Sequence, residues 1–69
     1  MTVKEHLLQI NKDVLLRGFR LYIYSNHYNG YLVVGTADEL YRLLMPTICD
    51  KEVIRIEGNH KLKTLELFI

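Results

Sequence analysis

The stretch from Arg20 to Gly35 constrains the chain most, because two β-prone runs, Arg20-Leu21-Tyr22-Ile23-Tyr24 and Tyr31-Leu32-Val33-Val34, flank an Asn29-Gly30 dipeptide. Asn and Gly both tolerate positive φ, which a two-residue type I′ hairpin turn requires and whose twist matches that of paired strands. Such a turn pairs Tyr28 with Tyr31, Asn26 with Val33 and Tyr24 with Gly35. One face of the ribbon then carries Leu21, Ile23, Leu32 and Val34, and the other carries Arg20, Tyr22, Tyr24, Tyr28, Tyr31 and Val33. The aliphatic face is the core candidate. The tyrosine face is amphipathic and is the place to look for function.

The hairpin cannot stand alone, and the rest of the chain supplies what packs on it. Thr2-x-x-Glu5 is a capping box, so a helix should begin at residue 3, with Val3, Leu7 and Ile10 on its buried stripe. Val14 to Phe19 suits either a short helical turn or the leading end of a strand with a bulge at Gly18; a connector followed by a strand from about Phe19 is the favoured reading. Thr36-x-x-Glu39 repeats the capping box, and Leu40, Leu43 and Leu44 follow at core spacing before Pro46, which predicts a helix from 37 to about 45.

Glu52 to Glu57 alternates, with Ile54 and Ile56 of one parity, and reads as a half-buried strand. Leu62 to Ile69 alternates again with Leu65, Leu67 and Ile69. A two-residue Gly58-Asn59 turn would set Lys61 and Lys63 opposite Ile56 and Ile54, so a four-residue loop pairing Ile56 with Lys63 and Ile54 with Leu65, or a bulge, fits the apolar row better. The two halves resemble each other at an offset of about 34 residues. The predicted fold is α+β: helix-hairpin-helix-hairpin (αββαββ), one four-stranded antiparallel sheet with two helices on one face, in a single domain spanning 1–69.

A chain of 69 residues hides only about 60% of its unfolded surface. Small folds compensate with disulfides, metals or association. The single cysteine, Cys49, excludes an intrachain disulfide, and one Cys with three scattered His makes a poor zinc set. Self-association is the remaining device, and 49% hydrophobic residues favour it. Nine basic and eight acidic residues, interleaved along the chain, leave no electrostatic footprint for nucleic acid or an anionic membrane. With neither a membrane-length apolar run nor a signal-peptide layout, the chain is expected to be a complete, cytoplasmic protein without membrane association.

The capping-box start Thr2-Val3-Lys4-Glu5, the tyrosine-rich hairpin running into Gly35-Thr36-Ala37-Asp38-Glu39-Leu40 and the Glu52-Val53-Ile54-Arg55-Ile56 strand together resemble small uncharacterised proteins encoded in phages and prophages of Gram-positive bacteria. The resemblance implies a cytosolic accessory protein that binds a host or phage macromolecule, and it carries no site residues.

Chemistry is sparse. His6, His27 and His60 lack ligand spacing, and His27 and His60 follow Asn near turns, as solvent-exposed loop histidines do. Ser25 and His27 share a strand face without an anchored acid. Asp50 beside Cys49 favours the neutral thiol, so a structural cysteine is expected. No cofactor, metal or catalytic residue is predicted. The candidate interaction face is Arg20, Tyr22, Tyr24, Tyr31, Val33, Arg55 and Phe68, a composition typical of binding hot spots. Its expected partner is a second copy of the chain or another protein, with Arg20 and Arg55 meeting Glu57 or Glu66 of that copy. Nucleic acid, stacked on the same tyrosines and arginines, is the alternative.

Overall fold

The computed structural model describes residues 1–43 and 48–69. In chain order it contains α1 (Val3–Lys12), β1 (Arg20–Ser25), β2 (Gly30–Gly35), α2 (Ala37–Leu43), β3 (Arg55–Asn59) and β4 (Thr64–Phe68). The architecture is α+β, a four-stranded sheet with two helices.

The helices start where side chains can cap them. The Thr2 hydroxyl accepts from the Glu5 amide at 3.3 Å and the Glu5 carboxylate accepts from the Thr2 amide at 2.8 Å. The next free donors of the first turn, Val3 and Lys4 N–H, go to the carbonyls of Lys51 and Cys49. The 49–51 segment therefore completes the cap and ties α1 to the connector before β3. At α2 the Thr36 hydroxyl accepts from the Glu39 amide and donates to its carboxylate. The predicted end of this helix, including Leu44, lies outside the described residues. Leu43, expected in the core, is largely exposed because α2 turns only Ala37 and Leu40 inward.

The strand order is β2-β1-β4-β3, and the sheet is mixed, which corrects the antiparallel expectation. Both hairpins are antiparallel, but β1 and β4 pair in parallel down the centre, Leu21 beside Leu65 and Ile23 beside Leu67. The cause is the crossover between the hairpins. β2 and β3 lie at opposite edges of the sheet and run in the same direction, as strands joined by a crossover do. Each edge strand is antiparallel to its inner neighbour, so the inner strands must be parallel to each other.

The first hairpin also departs from the expected register. Its loop is four residues, 26–29, with Asn29 at φ 57°, while Gly30 opens β2 without a positive φ. Ser25 pairs with Gly30 and Tyr24 with Tyr31, and a bulge then shifts the pairing to Ile23 with Val33 and Tyr22 with Val34. Side chains outcompete the turn propensity: the Tyr24 hydroxyl donates to Asn29 Oδ1 at 2.7 Å, and the Ser25 Oγ accepts from the Tyr28 amide at 3.0 Å. Skipping Leu32 inverts the following residues. Val33 turns to the core face, Val34 joins the tyrosines, and Leu32 stands at the rim.

The second hairpin shows the same loop. Asn59 pairs with Thr64 across residues 60–63, and Lys63 takes φ 56°. Gly58 and Asn59 are thus strand rather than turn, and Ile56 pairs with Leu67 instead of Lys63. Ile54, predicted to face Leu65 in the core, precedes β3 and is 67% exposed.

The core lies between the helices and the inner strands. Val3, Leu7, Leu21, Ile23, Leu40 and Leu67 are fully buried, joined by Ile10, Phe19, Ala37, Cys49 and Leu65. Each large aliphatic side chain so buried contributes about 1.5–3 kcal/mol.

Candidate interaction face

All the core residues of β1 and β4 use one face of the sheet, and alternation sends the intervening residues to the other. That second face carries Tyr22 and Tyr24 from β1, Tyr31 and Val34 from β2, Glu66 and Phe68 from β4, and Arg55 and Glu57 from β3. No described helix lies on it.

The aromatic rings form one connected row across three strands, β2, β1 and β4. Tyr22 meets Tyr31 edge-on at a centroid separation of 5.8 Å, Tyr31 meets Tyr24 at 5.2 Å, and Tyr24 tilts over Phe68 at 5.5 Å. The Arg55 guanidinium closes the row, 4.1 Å above the Phe68 ring. Edge-to-face pairs of this kind are worth about 0.5–1.5 kcal/mol each beyond area burial, and an exposed cation–π contact about 0.5–1 kcal/mol. Between them Tyr24 and Arg55 bury Phe68, whereas Tyr31 remains 55% exposed.

Charge on this face is internally paired. Glu57 and Glu66 stand directly opposite each other on β3 and β4, an unfavourable like-charge arrangement. Two donors offset it. Arg55 lies 3.3 Å from Glu57, and the Tyr31 hydroxyl donates to Glu66 at 3.0 Å. That hydrogen bond, first, and then desolvation push the Tyr31 phenol above its ordinary pKa. Within the chain, Arg55 thus has its ion-pair partner on its own strand.

Of the seven residues predicted for the face, Tyr22, Tyr24, Tyr31, Arg55 and Phe68 are brought together and Arg20 lies at its β1 end. Val33 is not there. The bulge moves it against the core, and Val34 takes its place beside Tyr22. Glu66 and Glu57 belong to the face as well; their parity with Phe68 and Arg55 was the available signal.

The other reactive side chains are dispersed. Burial, then the charge of Asp50, pushes the Cys49 thiol up and away from the nucleophilic thiolate. Desolvation, then the N-terminal charge, pushes His6 down. His27 lies exposed in the first loop, and His60 stacks edge-on to Phe19 at 5.5 Å. The Ser25 oxygen is occupied by the Tyr28 amide. Among the described residues no three His, Cys, Asp or Glu side chains gather into a metal-holding group, and no helix is long and apolar enough to cross a membrane.

No protein-family model matches the chain, and comparison with curated proteins and with solved structures likewise gave no match.

Proposed function

We propose that the protein is a non-enzymatic interaction module whose tyrosine-lined sheet face is the docking surface, with a second copy of the chain as its simplest partner. The observation that carries this reading is the connected row Tyr22–Tyr31–Tyr24–Phe68–Arg55 on a sheet face without a helix over it. Rigid aromatics with few rotatable bonds are economical anchors for association. The charge pattern favours protein over nucleic acid, since Glu57 and Glu66 stand amid the rings and would repel phosphates. The rings also meet one another edge-on instead of offering open faces to bases. A cytoplasmic accessory role, of the kind implied by the resemblance to phage and prophage proteins, is compatible with such a module.

Size sets the strength. Four strands about 4.8 Å apart and five residues long at about 3.3 Å per residue span roughly 320 Å² of flat area. Even after allowing for side-chain relief, a face-to-face pair falls near the low end of interfaces, where encounters are weak. Sedimentation equilibrium at high micromolar concentration should show a reversible dimer for the wild type and a monomer for Tyr22→Glu plus Tyr31→Glu. A compact wild-type monomer under these conditions removes the homodimer and leaves the face to a different protein. Unchanged association in the double variant removes the face.

A further inference from the structure

We propose that the end of the domain built from the 13–18 turn and the loop between β3 and β4 docks on an anionic membrane surface. The turn displays two aliphatic side chains that the fold does not use. Val14 and Leu15 are each 76% exposed, while their neighbours Leu16 and Phe19 point into the core. The turn holds its shape without them. The Asp13 carboxylate accepts from the Leu15 and Leu16 amides at 2.8 and 3.1 Å, and the Asp13 carbonyl accepts from the Arg17 amide at 2.9 Å. Such a tip can enter the headgroup layer without stripping water from these donors, which is the usual obstacle to putting irregular backbone there.

Basic side chains of Arg and Lys flank the tip, with a histidine beside them. Arg17, His60 and Lys63 line the same shallow recess as Val14 and Leu15. The Arg20 amide donates to the Lys63 carbonyl at 3.0 Å, Lys61 lies in the same loop, and Lys12 ends α1 beside the turn. Arg17 and Lys63 thus flank the tip directly, and Arg20, Lys61 and Lys12 belong to the segments that meet at this end, five of the nine Lys and Arg residues in all. Among the described residues the ion pairs engage Arg42, Arg55 and the N-terminus, so these five keep their charge for a partner. The acid in the turn itself, Asp13, is occupied by the two amides. Glu57 and Glu66 lie near Leu62 on the tyrosine side of the β3–β4 loop.

Aliphatic tips ringed by Lys and Arg are complementary to a bilayer with anionic headgroups: the cations meet phosphates and carboxylates while Val14 and Leu15 reach the acyl boundary. Nucleic acid would use the charges but gain nothing from the tip. The aromatic rings at this end, Phe19 and His60, are packed on each other, and Phe19 is buried.

The test is co-sedimentation of the full chain with vesicles of phosphatidylcholine alone and of phosphatidylcholine containing phosphatidylserine, at low and physiological salt. The expected result is binding to the anionic vesicles only, weakened by salt. Arg17→Gln plus Lys63→Gln should weaken it by about 25-fold, at about fivefold per basic residue. Val14→Asn plus Leu15→Asn should weaken it by about tenfold. Both pairs replace exposed side chains, and circular dichroism confirms the fold of each; should one pair fail to fold, the other decides. Three outcomes overturn the proposal: no binding to anionic vesicles at low salt, binding untouched by the Val14/Leu15 pair, or displacement from vesicles by a single-stranded oligonucleotide that the Val14/Leu15 variant binds as well as wild type.

Discussion

The bulge at Leu32 decides which valine of β2 belongs to the core, and a pair of single substitutions reads it out. Val33 opposes Ile23 and packs against the buried cluster, whereas Val34 opposes Tyr22 and is 44% exposed. Truncating a valine to alanine removes two methyl groups, at roughly 0.8 kcal/mol per buried methylene equivalent. Val33 is only partly buried, so Val33→Ala should cost about 1 kcal/mol, and Val34→Ala should stay within about 0.5 kcal/mol, as surface substitutions do. The domain's whole stability is on the order of 3–10 kcal/mol at this length. With a urea m value of about 1 kcal/mol/M for so small a protein, Val33→Ala lowers the denaturation midpoint by about 1 M. In a thermal scan the same loss appears as about 4–8 °C. Val33→Asp and Val34→Asp widen the contrast, because only the first places a carboxylate beside Ile23. A greater loss from Val34 than from Val33 would refute the bulged register and restore the two-residue Asn29-Gly30 turn.

Two further measurements follow from the helix cap and the tyrosine row. Thr36→Ala removes the acceptor for the Glu39 amide and should cost about 1 kcal/mol; an unchanged urea midpoint means that α2 is capped elsewhere. Tyr31 has a folded pKa above the unfolded value of about 10, because its hydroxyl donates to Glu66. The sign follows from linkage: the contribution is fully present below about pH 10 and is lost as pH rises through the folded pKa, since the native state then holds the proton that the unfolded state has released. Ring NMR signals should show the Tyr31 transition moving to lower pH in Glu66→Gln, and no movement means that the hydrogen bond is not made.

Local signals were legible and long-range ones were not. The Thr-x-x-Glu boxes mark both helix starts, and the 3.6-residue spacing of Val3, Leu7 and Ile10 marks the buried stripe, because caps and stripes are decided within one or two turns of chain. Strand parity likewise put Tyr22, Tyr24, Arg55 and Phe68 on one face. The two hairpins depart from the expected register for different reasons. In the second, the expected four-residue length holds, but the loop lies at 60–63, two residues beyond the position that pairing Ile54 with Leu65 required. In the first, Asn29-Gly30 is a strong turn dipeptide, yet the chain turns one step before it, in a four-residue loop ending on Asn29. The hydrogen bonds of Tyr24 and Ser25 and the packing of Tyr24 on Tyr31 are tertiary terms that no dipeptide propensity contains.

The misread strand direction has the wider consequence, because it sets where charge accumulates. Interleaving of Lys, Arg, Asp and Glu along a chain implies a neutral surface only if the fold keeps sequence neighbours together and distant segments apart. In an all-antiparallel sheet with β1 beside β4, the segment entering β1 and the segment entering β4 lie at opposite ends. With β1 and β4 parallel, both strands start at the same end, Arg20 beside Thr64. The connections that feed them therefore meet, and Arg17 from one lies with Lys63 from the other around Val14 and Leu15. The crossover that makes the sheet mixed is what concentrates the basic side chains, so the topology and the proposed membrane-docking end have a single cause. The tyrosine row does not depend on it: Tyr22, Tyr24 and Tyr31 sit within one hairpin, and only their contact with Phe68 needs β4 alongside.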